Sequence, residues 1–555
     1  MSLDVARTAA YEPASNLRAE QPLPTALYLL DRLDLDRAVM VGSPSPGTVA
    51  AVEALARSVV QRPPAADGEA GWRAQLPADL LYLGADALRE LATSAPALAA
   101  LAEQLEAGGA VYLEPSALAV TVAARFGTEV AVRVEPAADD EPPRADFGPL
   151  VRAAPTAAWV LPVAADRPAG VLRRARARVP LLRRSPPAGA VTLAVAGVEP
   201  LRAGAPDPQV AREVLVRPLP ASPLRPPGYL LDVARAAGHP LEDRTWSLIP
   251  ARGYRSQKLV FFLAGPGEEA EVVKLTQDER FNWRLENEVR SLRALADEGL
   301  DGVVGAPRVL FDGQHAGLYL AGQSRLAGRP FRAVSTGRAD CPVAHAAIES
   351  LTALGRASAH SDQRGGAPAG EALAALLGSY RDLYRPAPEE ARLLDGAVTA
   401  LADAGPALPM VFQHGDPTTL NLLVGEAGEI RMVDWENGEL SAPPLWDLMY
   451  FLQAYGAWAA ARRRRRFTPE ALRQDLLTPS GLGGMPAAAI ASYRAAVGVP
   501  AELLWPLVTT CWMYLALRQA RQLPADRLRR GFYARVLEVL ARRPLPGTTL
   551  EAWSG

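Results

Sequence analysis

The chain has 555 residues, 49% hydrophobic and 22% charged, with 59 basic against 61 acidic side chains and a formal net charge of -2. A chain this long divides into three or four compact units at roughly 100 to 200 residues each. This balance excludes a disordered chain and a surface given over to nucleic acid. Its two cysteines, Cys341 and Cys511, stand far apart, which argues against a disulfide framework and a thiolate zinc site.

At the N-terminus, Asp4 and Glu12 occur among polar residues without the basic start and apolar run of a secretory signal, so a cytoplasmic location is expected. Residues 25 to about 135 then alternate strand-like and helical stretches. The pattern predicts a strand over Arg37 to Gly42, a helix over Thr48 to Val60, a strand over Asp79 to Gly84, a helix over Ala85 to Gly108 and a strand over Gly109 to Leu113. That βαβαβ rhythm favours a parallel sheet flanked by helices, an α/β Rossmann-like domain. The segment Ala38 to Thr48 lies where a nucleotide-binding turn would be and resembles a methyltransferase glycine motif. No acidic residue stands in the run Arg37 to Val41 directly before Gly42, and Pro44 and Pro46 stand where a cofactor turn needs free amides. A structural or substrate-presenting domain is therefore expected ahead of one that binds S-adenosylmethionine. Residues 135 to about 240 are crowded with Pro, Arg and Ala, with strand-like pieces at Ala190 to Val198 and Glu213 to Val216, and read as an extension and linker.

From Leu241 the texture changes. Trp246 to Pro250, Lys258 to Ala264 and Glu271 to Leu275 read as consecutive antiparallel strands, the last two joined across Gly265-Pro-Gly267. A helix is expected from about Asp278 to Asp297, because Phe281, Leu285, Leu292 and Leu295 recur at helical spacing. Position 288 falls on the same stripe and is a glutamate. A carboxylate on an inward face needs a cation, since an unpaired buried charge is costly. Arginine supplies all but two of the basic residues, and those two are Lys258 and Lys274. Lys274, on the preceding strand, is the expected partner of Glu288. In kinases a strand lysine held by a helix glutamate positions the phosphates of ATP.

Further on stands His414-Gly-Asp416, with Asn421 five residues after the aspartate and Asp434 in the following strand-like run Ile430 to Glu436. This segment resembles the aminoglycoside phosphotransferase and choline kinase family, small-molecule relatives of protein kinases whose catalytic loop reads H-G-D-x-x-x-x-N with an aspartate about a dozen residues on. The resemblance covers about residues 241–540 and implies a kinase-like fold using ATP and magnesium. It implies that Asp416 accepts the proton of the attacking group, that Asn421 and Asp434 offer hard oxygens to Mg2+, and that His414 braces the loop. Asp447, in Pro444 to Tyr450, resembles the family's structural aspartate. Glu436, two residues beyond Asp434, is read as on the same strand face and able to assist. Gly317 to Pro330 is expected to form the hinge, with backbone near Gln323 meeting the adenine. The turn Ala251 to Lys258 carries one glycine where kinases usually have more, and the amides from Tyr254 to Gln257, helped by Lys258 or Arg255, are expected to cradle a phosphate.

The apolar run Leu503 to Leu517 is too short for a span of about 20 residues and reads as a buried helix. Arginine runs at Arg173 to Arg184, Arg462 to Arg466 and Arg527 to Arg530 read as solvated faces, with docking of an anionic acceptor or a membrane surface as the functional alternative. The expectation is a two-part chain. Residues 1–240 form the α/β Rossmann-like domain, 241–330 a kinase-like N-lobe with hinge, and 331–555 the C-lobe, together an α+β bilobal phosphotransferase. It would transfer the γ-phosphoryl of ATP to a hydroxyl, or an amine, of a small molecule such as a sugar, aminoglycoside or glycan precursor, including an anionic one. The alternatives are a catalytically silent nucleotide-binding scaffold and a bifunctional protein with an N-terminal methyltransferase.

Overall fold

The computed structural model describes residues 27–28, 30–44, 46–62, 73–84, 87, 100, 103–104, 107–114, 118–124, 130–136, 145–146, 157–164, 191–196, 210–211, 214–218, 226–250, 258–265, 270–360, 369–521, 523–542 and 547–554. The chain gathers into two compact units. One takes residues 20–282 and 310–324, the other 283–309 and 325–555.

The first unit opens on strand β1 (Leu35–Val41), helix α1 (Pro46–Leu55) and β2 (Ala56–Arg62), followed by β3 (Leu80–Gly84) and β4 (Ala110–Glu114). These four strands are parallel in the order β2-β1-β3-β4. The described side chains of β3 are all buried, as expected for a parallel strand covered on both faces. The helix expected over Thr48 to Val60 is shorter, because the chain enters β2 at Ala56. The branched residues Val59 and Val60 favour the extended state, and their backbone pairs with Ala38 and Val39. Most of the helix expected over Ala85 to Gly108 lies outside the described residues. The Pro- and Arg-rich region contributes strands rather than a linker alone: Ala157–Ala164, Val191–Ala196 and Val214–Pro218 join the same sheet in antiparallel pairings.

Helix α2 (Gly228–Ala236) leads into a second, five-stranded sheet. Its strands are β5 (Thr245–Pro250), β6 (Lys258–Ala264), β7 (Ala270–Thr276), β8 (Val309–His315) and β9 (Leu318–Ser324), in the order β5-β6-β7-β9-β8. Leu259, Phe261, Leu263, Val273, Leu275 and Leu320 point from this sheet into a core that also contains Tyr28, Met40, Tyr82, Tyr229 and Leu231. Polar ties secure the junction. Tyr28 donates to the carbonyl of Gln277 at 3.0 Å, Leu33 N–H to His315 Nε2 at 3.2 Å, and buried Glu271 takes Arg244 at 2.7 Å and His239 at 3.0 Å.

The second unit begins with α3 (Asn282–Asp297). The preceding single turn, Glu279–Phe281, is capped by Asp278, whose side chain accepts from Arg280 N–H. The remainder is mainly helical: α4 (Pro342–Ser358), α5 (Ala369–Tyr384), α6 (Pro388–Ala404), α7 (Trp446–Arg462), α8 (Pro469–Leu476), α9 (Met485–Val497), α10 (Leu504–Ala520) and α11 (Phe532–Arg542). Helix α10 contains the apolar run expected to be a buried helix, and it is buried on nearly every side. Thr510 returns its hydroxyl to the carbonyl of Pro506 at 2.9 Å, so a polar side chain sits in the core without an unmet donor. No helix among the described residues is long and apolar enough to cross a membrane.

Two small β elements lie between α6 and α7. β10 (Val411–Gln413) pairs with β13 (Glu439–Ala442), and the hairpin β11 (Leu422–Val424) with β12 (Ile430–Met432) closes across Gly425 to Gly428. These short strands carry the loop that holds the motif.

Candidate active site

The loop from His414 to Asn421 leaves β10 and enters β11. Gly415 adopts φ +74°, and a Cβ there would lie 2.0 Å from the carbonyl oxygen of Asn437. Only glycine tolerates both the left-handed backbone and that approach, which explains the middle residue of the triplet. Asp447, near the start of α7, accepts His414 N–H at 2.6 Å and Gly415 N–H at 2.9 Å. Arg518 of α10 donates to the carbonyl of Gly415. Within the loop, Thr418 N–H donates to Asp416 O at 2.7 Å, and Asn421 Nδ2 donates to the same carbonyl at 3.0 Å.

His414 is fully buried against Trp435, with ring centroids 4.4 Å apart. Its Nε2 lies 3.1 Å from the carbonyl of Val433, and its Nδ1 accepts Asp416 N–H at 3.2 Å. These partners assign the proton to Nε2. Burial lowers its pKa to about 4, so the neutral ring ties the loop to the segment that carries Asp434.

Asn421 and Asp434 are brought together by the hairpin. Leu422 pairs with Met432, and Val433 N–H donates to the carbonyl of Asn421 at 3.0 Å. The strand expected over Ile430 to Glu436 stops at Met432, because Asp434 takes a left-handed φ of +72°. The alternation of side chains between two faces ends there, so the strand-face reading of Glu436 does not hold. The carbonyls of Glu436 and Gly438 each accept from Asn287 Nδ2 of α3 at 3.0 Å. Glu288, the next residue, is fully buried.

Burial raises the Asp416 carboxyl to a pKa of about 6, opposed by the positive charge of Arg518 and reinforced by Asp434 and Glu436. Its Oδ1 is buried with no hydrogen-bond partner, an atom that calls for an explanation in a well-satisfied interior. Burial likewise lifts Asp447 to about 7, against the two backbone donors that favour its ionised form. Burial disfavours the charge of Arg518, yet Tyr514, Tyr450 and Asp416 hold its pKa above the ordinary value. Its guanidinium carbon lies 5.8 Å from the Tyr450 ring centroid and 5.7 Å from that of Tyr514.

The remaining candidate residues belong to the first unit. Register places Lys258 opposite Thr276, Val260 opposite Lys274, Val272 opposite Gln323 and Lys274 opposite Ala321. Both lysines and Gln323 therefore share the sheet face opposite the one that enters the core. All three are buried. The chain leaves the first unit after Ser324, one residue beyond Gln323. Tyr254 and Gln257 lie outside the described residues.

Sequence reasoning did not find Arg518, Tyr450 or Asn287. A usable signal existed for the first: Arg518 is the first charge after the apolar run of α10, where a cation can remain only with partners. Tyr450 and Asn287 carried no comparable mark, because their roles arise from contacts made across the fold.

A half-buried carboxylate, an amide and a second carboxylate gathered on a strand-framed H-G-D-x-x-x-x-N loop define a phosphotransferase of kinase-like fold. Residues 249–480 match the model of the phosphotransferase enzyme family, APH. This match covers fewer than half of the residues, and the part it covers reads as a small-molecule kinase. No curated protein sequence matches the chain. Among solved structures, it is similar to a thermostable mutant of aminoglycoside phosphotransferase APH(4)-Ia in ternary complex with ADP and hygromycin B, at 13% identity and TM-score 0.36, over 58% of this chain and 98% of that one. It is also similar to macrolide 2'-phosphotransferase MphH from Brachybacterium faecium, at 17% identity and TM-score 0.36, over 57% and 99%. Similarity to an aminoglycoside-3'-phosphotransferase of type VIII reaches 19% identity and TM-score 0.32, over 51% and 98%. Likenesses of that strength add nothing to the family match and the site geometry.

Proposed function

We propose that the protein transfers the γ-phosphoryl of ATP to a hydroxyl of a small molecule, with Asp416 as the proton acceptor. The observation that carries this reading is the Asp416 carboxylate itself. It is half-buried, with its Oδ1 enclosed and unpartnered, on a loop fixed through His414, Gly415 and Asn421. A hydroxyl hydrogen-bonded to the partly exposed Asp416 carboxylate loses its proton to it as its own oxygen attacks the γ-phosphorus. The bond from phosphorus to the β-phosphate oxygen breaks, and ADP leaves. With a pKa of about 6, Asp416 is mostly ionised at neutral pH and close enough to it to act as a base.

The donor set fits magnesium. Asn421 spends its Nδ2 on the carbonyl of Asp416, which leaves its amide oxygen as a hard ligand, and the hairpin pairing carries Asp434 one residue past the backbone bond from Val433 to Asn421. Two protein oxygens, completed by phosphate oxygens and water, suit Mg2+. When bound, the metal would neutralise charge on the phosphates. In this reading Lys274 positions the phosphates, Glu288 orients Lys274, and Lys258 with the amides of Tyr254 to Gln257 covers the nucleotide. Backbone near Gln323 receives the adenine. The shared core of the first unit supports a domain plan in which residues 1–240 form a platform for the nucleotide-binding sheet, residues 241–330 supply that sheet and the hinge, and residues 331–555 supply the catalytic loop. Dependence on ATP is consistent with a cytoplasmic location.

The test is the affinity for ATP with magnesium, measured by calorimetry on the full chain. Lys274→Ala and Asp434→Ala should each weaken binding at least tenfold, while Asp416→Asn leaves it within about twofold. Unchanged binding in the first two variants contradicts the assignment.

A further inference from the structure

Two arginines clasp one tryptophan next to the catalytic loop. Arg332 and Arg462 place their guanidinium carbons 5.1 Å and 5.7 Å from the ring centroid of Trp458 on α7. Arg332 also donates from Nε to the hydroxyl of Thr419 at 2.7 Å. Thr419 is buried in the catalytic loop, three residues after Asp416. Three residues of chain set an upper limit of about 11 Å between their Cα atoms. The guanidinium is therefore anchored within reach of a small substrate whose hydroxyl sits at Asp416.

Three further features point to an absent anion. Arg462 is exposed and has no ion-pair partner among the described residues, and four more exposed arginines follow it directly. The indole N–H of Trp458 is buried without an acceptor among the described residues. Between Thr419 and Asn421, Leu420 is half exposed, which presents an apolar contact on the same loop. Two planar cations held on one indole ring form a donor set that matches carboxylate or phosphate oxygens. The same cations repel a polycationic acceptor.

We propose that Arg332, Trp458 and Arg462 form the acceptor subsite for an acidic group, so that the molecule phosphorylated is an alcohol carrying a carboxylate or a phosphate. This rests on the phosphotransfer reading for the position of the acceptor hydroxyl. The anion subsite itself is testable without turnover.

The experiment titrates the full-length protein by calorimetry with glucose 6-phosphate, glucuronate, glucose and glucosamine, then measures ADP release with the same four compounds. Saturable binding is expected for at least one of the two anions, weakening as salt rises, with none for glucose or glucosamine. Which anion binds distinguishes a phosphate-bearing from a carboxylate-bearing acceptor. Arg462→Ala should weaken that binding about tenfold and Arg462→Lys much less. Arg462 is exposed, so its variants should fold, and an unchanged melting temperature verifies this. Binding of neither anion, or equal binding by wild type and Arg462→Ala, overturns the subsite. Anion binding that responds to Arg462 without ADP release in any mixture supports the subsite and counts instead against these anions as acceptors or against phosphotransfer.

Discussion

If Asp416 is the proton acceptor proposed above, Arg518 should keep it in its ionised form. Its guanidinium is enclosed by Tyr450 and Tyr514, and its positive charge opposes the burial that raises the Asp416 carboxyl. With a pKa of about 6, about nine-tenths of Asp416 is ionised at pH 7. An opposite charge at close range depresses a carboxyl by roughly 1 to 3 units, so Arg518→Met should carry Asp416 to between about 7 and 9. At a shift of about two units, roughly a tenth remains ionised at pH 7 and about nine-tenths at pH 9. The base works only when ionised, so kcat should fall about tenfold at pH 7 and recover at pH 9. Arg518→Lys retains the charge and should keep the acid limb near that of the wild type. Both variants lose geometry at the Gly415 carbonyl, at a stability cost of about 1–3 kcal/mol. Initial rates of ADP release from pH 5 to 9 check this. A loss of kcat in Arg518→Met that is the same at pH 7 and pH 9 would refute the electrostatic role.

Two further substitutions address the frame of the loop. Asp447→Ala strands the N–H groups of His414 and Gly415 in the interior, at about 1–3 kcal/mol each, so urea unfolding should show a total loss of about 2–6 kcal/mol. A loss below about 1 kcal/mol contradicts the bracing role. Gly415→Ala places a Cβ against the carbonyl of Asn437 and forces a left-handed alanine, so it should abolish transfer while far-UV circular dichroism stays native. Retained activity in that variant refutes the close approach.

The chemistry was legible in the sequence where local pattern and chemistry coincide. Helical spacing put position 288 on the buried stripe of α3, and Glu288 is fully buried. The strand limits Lys258 to Ala264 coincide with β6, because branched and aromatic residues bounded by glycine mark a strand unambiguously. Two places resisted. At Thr48 to Val60, alanines suggested a continuous helix, but sheet pairing captured Ala56 onward, a tertiary effect that propensity does not register. Beyond Met432, the positive φ of Asp434 broke a strand that its neighbours would have continued. Such backbone strain is held by surrounding contacts rather than by local preference. Asn287 was invisible for the same reason, since its partners Glu436 and Gly438 lie 149 and 151 residues away in sequence.

The most direct measurement follows the labelled γ-phosphoryl group. Wild-type protein incubated with γ-labelled ATP, magnesium and a pool of hydroxylated small molecules should move label into a product other than inorganic phosphate. Asp416→Asn, folded and still binding ATP, should transfer it about 10² to 10⁴ times more slowly. Equal transfer by the two proteins, or label that appears only as inorganic phosphate in both, contradicts the assignment of Asp416 as the base of a small-molecule kinase.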